Sequence, residues 1–113
     1  AARILIVEDS PSLAMTYREF LSEGHHEVEI ASTVAQARKF MGHGQGFQVV
    51  LLDINLPDAC GVDFLRALRA EGDHTPVIVI TADPTIDIAV EAIRAGAQDF
   101  ICKPVLAERL NLT

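Results

Sequence analysis

Basic residues are in the minority in this chain. Its 113 residues contain nine lysines and arginines against sixteen aspartates and glutamates, which gives a formal net charge of -7. This charge disfavours electrostatic attraction to the phosphates of nucleic acids and favours the binding of cations instead. We therefore expect this segment not to bind nucleic acid directly.

Cysteines and long apolar runs are also scarce. Cys60 and Cys102 have no CxxC spacing and form no disulfide framework, so we expect two free thiols in a reducing cytoplasm. No apolar run approaches the roughly 20 residues that span a bilayer, and no charged and then apolar leader opens the chain. The sequence predicts a soluble, cytoplasmic protein without a membrane partner.

Two common signals of phosphate or metal binding are missing. The glycine-rich segment GHGQG at residues 42–46 lacks the Lys-Ser/Thr of a phosphate-binding loop, so we interpret it as a turn between a helix and a strand. The histidines lie in expected turns without HxxxH or carboxylate spacing. We expect neither a metal-binding nor a catalytic role for any of them: His25, His26, His43 and His74.

Short β-branched runs alternate with amphipathic segments along the chain. The runs ILIV, VVLL and VIVI show no polar alternation, which is typical of parallel strands buried on both faces of a sheet. The pattern predicts an α/β fold with helices on both faces. We expect strands over residues 3–7, 27–31, 47–52, 76–80 and 98–102, and helices over residues 12–23, 34–41, 61–70, 86–95 and from near Val105.

The expected helices carry start and stop signals. Ser10 and Pro11 are typical of an N-cap and a first turn, and Ser32 or Thr33 can cap the second helix. After Pro104, only about two turns remain for the last helix. We expect residues 1–113 to form one domain, with its last helix cut short, at the N-terminal part of a longer protein. Glycines stand where C-caps belong: Gly24, Gly42, Gly72 and Gly96.

Acidic, hydroxyl and lysine side chains follow four of the apolar runs. Glu8 and Asp9 come after ILIV, Asp53 after VVLL, Thr81 after VIVI, and Lys103 after FIC. In an open α/β sheet the ligand site lies outside the carboxyl ends of the strands, so one crevice would collect all of these side chains. Acids, a hydroxyl and a lysine together indicate phosphate and metal chemistry.

Three carboxylates would cluster if the first and third strands are neighbours. Like charges at close range require that one carboxyl takes up a proton or that a divalent cation neutralises the group, and hard oxygen ligands favour Mg²⁺. A backbone carbonyl near Asn55 would complete the protein's share of ligands. Glu8 and Asp9 have an alternative role, because acids near a helix N-terminus complement its dipole. Asp53 precedes a turn, where a solvated loop acid is the alternative.

Asp53 is the candidate nucleophile because a carboxylate oxygen can attack phosphorus to form an acyl phosphate. Mg²⁺, the Lys103 ammonium and the Thr81 hydroxyl suit three different oxygens of the transferred group. Taken singly, Thr81 indicates a helix cap or strand end, and Lys103 indicates a solvated surface residue. Phe100 by itself indicates a half-buried core ring in the last strand.

With these motifs in order, the chain resembles the receiver domain of two-component response regulators from Arg3 to its end. The motifs are ILIVEDSP, LLDINLPDACG, VIVITAD and GAQDFICKP. The resemblance implies a flavodoxin-like, CheY-like, doubly wound fold with a five-stranded parallel sheet of order 2-1-3-4-5. The stretch TADPTIDIAVEAIRAGAQDFICKP is similar to receivers of NtrC-type, sigma-54-dependent transcription activators, in which an AAA+ ATPase and a DNA-binding domain follow.

The resemblance also implies roles at the site. Asp53 would accept a phosphoryl group from a histidine kinase or a phosphotransfer protein. Mg²⁺ would be bound by Asp9, Asp53 and the backbone carbonyl of Asn55, with Glu8 in support. Such a domain catalyses its own phosphorylation and dephosphorylation but has no separate substrate, so we do not expect an enzyme in the usual sense.

The remaining implied roles concern the switch. Thr81 and Lys103 would contact the phosphoryl oxygens, and the Phe100 ring would turn inward as the Thr81 hydroxyl moves toward the phosphate. Phosphorylation would then reshape the face made by the fourth helix, the fifth strand and the fifth helix. That face would form a homodimer and control the C-terminal output domain, and thereby transcription.

Three alternatives stand beside this hypothesis. An aspartyl-nucleophile phosphatase would need a general acid two residues after Asp53, where the sequence has Asn55. A flavin or nucleotide carrier would need a phosphate-binding loop after the first strand, where Glu8 and Asp9 would repel phosphate. A receiver-like domain that binds partners without being phosphorylated would keep the fold and lose the chemistry.

Overall fold

Five strands and four helices alternate in the part of the chain that the computed structural model describes, which comprises residues 3–22, 26–42, 46–81 and 86–102. The expected fifth helix and Lys103 lie outside these residues. The strands are β1 (Arg3–Val7), β2 (Glu27–Ala31), β3 (Val49–Asp53), β4 (Val77–Thr81) and β5 (Asp99–Cys102). The helices are α1 (Pro11–Ser22), α2 (Val34–Met41), α3 (Gly61–Ala70) and α4 (Ile86–Arg94).

The strands form one parallel sheet of order β2-β1-β3-β4-β5. The expected strand order 2-1-3-4-5 and the flavodoxin-like fold are therefore confirmed. Because β1 and β3 are neighbours and β4 follows β3, the residues at the carboxyl ends of these three strands lie side by side. The connections between these strands and the following helices form the edge that carries the candidate site.

Alternate residues of each strand pack on opposite faces of the sheet. On the α1 face, a core cluster joins the sheet to α1; on the three-helix face, a second cluster joins it to α2, α3 and α4. Helices on both faces explain why the strands lack polar alternation. The buried apolar strand residues are Ile4, Ile6, Leu51, Ile78, Ile80 and Ile101 on the α1 face, and Leu5, Val7, Ala31, Val50, Leu52, Val77 and Val79 on the three-helix face.

Three strand boundaries differ from the sequence prediction. The expected strands 47–52 and 76–80 are shifted to Val49–Asp53 and Val77–Thr81, and β5 begins one residue later than expected, at Asp99. The shift arises because polar residues join the ladder: Asp53 pairs with Ile80, and Thr81 pairs with Cys102. In β3 and β4 the polar residue after the apolar run is therefore the last strand residue, whereas Glu8 lies outside β1.

The helix ends follow the expected signals with small shifts. Helix α1 begins at Pro11 instead of residue 12, and the Ser10 hydroxyl accepts a hydrogen bond from the backbone N–H of Leu13 at 3.4 Å. Helix α4 ends at Arg94, one residue early. Thr33 is the N-cap of α2, and its hydroxyl accepts a 3.1 Å bond from the N–H of Gln36. Gly24 lies outside the described residues.

The described residues test part of the predictions about free thiols and membrane-spanning helices. Cys60 is an exposed free thiol, as expected, whereas the side chain of Cys102 lies outside the described part of the structure. None of the helices within the described ranges has the length and apolarity that crossing a bilayer requires.

Candidate functional site

Three carboxylates meet at the carboxyl end of the sheet. Glu8 and Asp9 directly follow β1, and Asp53 ends the neighbouring strand β3. One oxygen from each carboxylate lies within 4.8 Å of the oxygens from the other two. Glu8 and Asp53 are only 2% and 4% exposed, whereas Asp9 is exposed to solvent. The structure thus brings these acids together, as the sequence predicted.

Glu8 is held by both β2 and the start of α1. Its backbone N–H donates a 2.9 Å hydrogen bond to the carbonyl of Ala31, at the end of β2. Its carboxylate accepts a 3.1 Å bond from the N–H of Ser10, the residue before α1. The alternative role of an acid at a helix start therefore also applies to Glu8, and the same side chain belongs to the acid cluster.

Asp53 is fixed by the sheet and by the loop that follows it. It pairs with Ile80 in the β3–β4 ladder, and the next N–H, that of Ile54, donates to the Ile80 carbonyl at 3.2 Å. The Asp53 carboxylate accepts a 3.1 Å bond from the N–H of Asn55. The alternative of a solvated loop acid is wrong, because Asp53 is a buried strand residue.

The loop of residues 54–60, here called the acceptor loop, closes tightly on the end of β3. The N–H of Gly61 donates a 2.7 Å bond to the carbonyl of Ile54, and Asn55 and Cys60 form an isolated antiparallel bridge. A side chain at Gly61 would place its Cβ 2.4 Å from the carbonyl oxygen of Asp53. Helix α3 therefore begins in direct contact with the residue that carries the buried carboxylate. Together with Asp9, the acceptor loop lines an open depression beside the acid cluster.

Asp58 ties the acceptor loop to a different helix. Its two carboxylate oxygens accept hydrogen bonds from the N–H groups of Val34 at 3.0 Å and Ala35 at 3.2 Å, in the first turn of α2. These bonds, above all the one from Val34, hold the pKa of the Asp58 carboxyl below its usual value. No local sequence pattern indicates this contact, because the two partners lie 24 and 23 residues away.

Thr81 and Phe100 lie on the strands next to the acid cluster. Thr81 is the last residue of β4 and is fully buried, one residue beyond the partner of Asp53. Phe100 is half-buried and packs against the core of the three-helix face, where it pairs with Val79. Its interpretation as a half-buried core ring is confirmed. Lys103, the remaining predicted site residue, lies outside the described part of the chain.

The acid cluster suits a small divalent cation. Its carboxylates are hard oxygen donors, and the exposed position of Asp9 leaves the group open to solvent, as Mg²⁺ requires because it retains several of its waters. Each of the three carboxylates, Glu8, Asp9 and Asp53, offers one oxygen to this cluster. Bound there, the ion would neutralise the cluster and present positive charge to a phosphoryl group.

Comparisons with known proteins agree with this geometry. The family model described as "Response regulator receiver domain" matches residues 4–113. The regulatory protein LuxO of Vibrio cholerae is 40% identical over 108 residues, which cover 96% of this chain and 24% of that protein. The alginate biosynthesis transcriptional regulatory protein AlgB of Pseudomonas syringae is 36% identical over 110 residues, or 97% of this chain and 24% of that protein.

Solved structures of receiver domains are also similar to this chain over nearly its whole length. The signal receiver domain of a putative LuxO repressor protein from Vibrio parahaemolyticus superposes with a TM-score of 0.92 at 36% identity, covering 98% of this chain and 85% of that one. The beryllofluoride-activated NtrC4 receiver domain dimer gives a TM-score of 0.91 at 35% identity, with 98% and 91% covered.

These matches cover nearly all of this chain but only part of each curated relative. This chain spans about a quarter of the length of the curated relatives that it matches. The family model, in contrast, matches nearly the whole chain, and the sheet order and the acid cluster are those that the resemblance implied. The chain belongs to the response regulator receiver domain family.

Proposed function

We propose that Asp53 is the phospho-acceptor of this receiver domain and that Mg²⁺ assists the transfer. The observation that carries the proposal is the placement of Asp53: a buried strand-end carboxylate within 4.8 Å of two further carboxylates. Burial limits competing water, and the sheet and the Asn55 N–H fix the carboxylate's orientation. A fixed nucleophile beside a cation site is the arrangement that phosphoryl transfer requires.

The transfer is a displacement at phosphorus. An Asp53 oxygen forms a bond to the phosphorus of a phosphohistidine, while the bond from phosphorus to the histidine nitrogen breaks and its electron pair stays on that nitrogen. The donor is a histidine kinase or a phosphotransfer protein. Asp9, Asp53 and the carbonyl of Asn55 would hold Mg²⁺, with Glu8 in support, and the ion would supply positive charge to the transferred group.

Thr81 and Lys103 are proposed to contact the phosphoryl oxygens. Thr81 suits this role because it ends β4, on the edge of the sheet that carries Asp53. We propose that its hydroxyl moves toward the phosphate and that the Phe100 ring turns inward in response. Phe100 is half-buried against the three-helix face, so a change in its packing would be transmitted to α4.

The domain is proposed to catalyse only its own phosphorylation and dephosphorylation. An aspartyl-nucleophile phosphatase would need a proton-transferring group two residues after Asp53. The residue there is Asn55, whose amide side chain cannot donate and recover a proton. A receiver-like domain that binds partners without being phosphorylated remains the main alternative, and the experiment below distinguishes the two.

The output is proposed to lie in the rest of the full-length protein. The relatives are about four times as long as this chain and are regulatory proteins by name. By analogy with NtrC-type activators, we propose a cytoplasmic regulator in which an AAA+ ATPase and a DNA-binding domain follow the receiver. The receiver itself, with its charge of -7, is not proposed to contact nucleic acid.

The experiment that tests the acceptor uses acetyl phosphate, with and without Mg²⁺, and follows the intact mass of the wild type and of Asp53→Asn. We expect a Mg²⁺-dependent phosphoryl adduct on the wild type and none on the variant. Circular dichroism and thermal unfolding serve as controls that the variant is folded. An unmodified, folded wild type would favour the phosphorylation-independent alternative.

A homodimer through α4, β5 and the fifth helix is also proposed. Within the described residues, α4 exposes two large apolar side chains, Val90 at 42% and Ile93 at 51%. The similar NtrC4 receiver domain forms a dimer when activated by beryllofluoride. We expect beryllofluoride to raise the molar mass in light scattering, and Val90→Asp to prevent the increase. Met15→Asp, on the exposed face of α1, is the matched control and should leave the dimer intact.

A further inference from the structure

We propose that Asp58 is a positioning residue for the metal site: it tethers the acceptor loop to α2 and thereby holds the Asn55 carbonyl in place. This inference rests on the proposed function, because it concerns the Mg²⁺ ligand that the loop supplies. Asp58 itself is exposed and is not expected to bind the ion. Its effect would be transmitted through the backbone of the loop.

Within the described residues, the two bonds of Asp58 are the hydrogen bonds that join the acceptor loop to α2. Both oxygens of Asp58 accept bonds from the first turn of α2, from Val34 at 3.0 Å and from Ala35 at 3.2 Å. A carboxylate at this position satisfies two N–H groups that have no partner within the helix and complements the positive end of its dipole. Two bonds to one side chain fix its orientation as well as its position.

The tether completes a set of contacts along the acceptor loop. Ile54 and Leu56 pack into the core of the three-helix face, while Asn55 between them is exposed. The loop end is fixed by the bond from Gly61 to Ile54. Asp58 lies midway between the packed residue Leu56 and this fixed end. Residues 57–60 are here called the outer half of the loop. Without the Asp58 carboxylate, this half would have no hydrogen bond to α2 within the described residues.

The consequence concerns the metal more than the fold. The N–H of Asn55 donates to Asp53 and Asn55 bridges to Cys60, so freeing the outer half of the loop would loosen the Asn55 carbonyl without releasing it. Outer partners that orient metal ligands commonly change metal affinity by about 10- to 100-fold. For a tether that acts through the backbone, we expect Asp58→Ala to weaken Mg²⁺ binding by about tenfold, the lower end of that range.

Helix α2 supplies a matched control. Thr33 also caps the first turn of α2, because its hydroxyl accepts a bond from the N–H of Gln36, but within the described residues it makes no hydrogen bond to the acceptor loop. Thr33→Ala and Asp58→Ala should therefore destabilise the same helix end to a similar degree. Only Asp58→Ala should affect Mg²⁺ binding.

The test measures Mg²⁺ affinity by calorimetric titration for the wild type, Asp58→Ala, Asp58→Asn and Thr33→Ala, together with urea unfolding of each. The Mg²⁺ concentration for half-maximal modification by acetyl phosphate is measured alongside the maximal rate. We expect Asp58→Ala to raise this concentration about tenfold with little change in the maximal rate. Asp58→Asn keeps one carbonyl oxygen as an acceptor and should fall between Asp58→Ala and the wild type.

The outcomes separate this inference from the proposed function. If the wild type binds Mg²⁺ and Asp58→Ala binds it as tightly as Thr33→Ala does, the tether has no positioning role and the inference is overturned. If the wild type itself binds no Mg²⁺, the proposed metal site fails, and the inference fails with it. Should Asp58→Ala not fold, unchanged Mg²⁺ affinity in folded Asp58→Asn would overturn the inference equally.

Discussion

Gly61 offers a direct test of how the acceptor residue is held. A Cβ added at this position would lie 2.4 Å from the carbonyl oxygen of Asp53 and 2.9 Å from the Cα of Ile54. Ordinary contacts begin near 3.4 Å, so Gly61→Ala must separate α3 from the end of β3 by about 1 Å. The opposing atoms belong to the backbone, so no side-chain rotation relieves the overlap.

The displacement should reduce both stability and phosphorylation. Overpacking a well-packed site costs about 1–3 kcal/mol, and we expect the upper part of this range because the backbone itself must move. A loss of about 3 kcal/mol corresponds to a Tm decrease of roughly 12 °C for a domain of this size. Misplacing a reacting group by about 1 Å can lower a rate by about 100-fold.

The assay compares Gly61→Ala with Gly72→Ala. Gly72 has a φ of 85°, and an added Cβ would meet nothing within 4 Å, so its replacement introduces backbone strain of about 1–2 kcal/mol away from the site. Urea unfolding gives the stabilities. The initial rate of acetyl phosphate modification at saturating Mg²⁺ is measured at a temperature where both variants are folded. The reasoning is refuted if Gly61→Ala is as stable as the wild type, or is phosphorylated as fast as Gly72→Ala.

Three further predictions follow from other parts of the structure. Asp9→Ala should weaken Mg²⁺ binding more than any other single replacement in the acid cluster. If calorimetry showed that Asp9→Ala binds Mg²⁺ as tightly as the wild type, the cation site would have to lie elsewhere. At Asp73, partial burial opposes ionisation, but the hydrogen bonds from Thr75 and the charges of Arg69 and His74 together outweigh it and hold the carboxyl pKa below its usual value of 3.8. Its stabilising effect is complete above that value and is lost as the pH falls through the lowered pKa. The free energy of unfolding, measured in urea between about pH 3 and 5, should therefore depend less on pH in Asp73→Asn than in the wild type. An equal pH dependence in the two proteins would contradict this. Arg69 donates to carbonyls in the α3–β4 and α4–β5 loops at 2.9 and 2.8 Å, so Arg69→Ala should lose about 1–2 kcal/mol. Arg66→Ala, which loses only exposed ion pairs, should lose less than about 1 kcal/mol, and equal losses would refute the distinction.

The sheet and the acid cluster could be predicted because both follow from topology. Uniformly apolar runs indicate buried parallel strands, and the carboxyl ends of such strands meet at one edge whatever the loops do. The positions of Glu8, Asp9 and Asp53 directly after two of these apolar runs were therefore sufficient to place them together. The sequence did not indicate that Asp53 and Thr81 are buried members of the ladder, because burial of a polar strand end depends on its neighbours.

The contacts of the acceptor loop could not be predicted in this way. Asp58 occurs in a segment, LPDAC, whose composition is typical of a solvated turn, and its partners belong to a helix more than 20 residues earlier. A glycine at the start of a helix, such as Gly61, is consistent with many local conformations. Its close approach to Asp53 appears only when α3 has been packed against the sheet.

The two unpredicted contacts act on the same short loop: Gly61 directly follows its last residue, and Asp58 lies in its outer half. Both are expected to constrain the Asn55 carbonyl, so releasing either one already frees part of the motion that the other restrains. Replacements that share a structural element are generally not additive. The double variant Asp58→Ala with Gly61→Ala should therefore lose less Mg²⁺ affinity than the product of the two single losses, as measured by a calorimetric double-mutant cycle. A loss equal to that product would show that the two ends of the loop move independently, and that the loop does not present Asn55 as a unit.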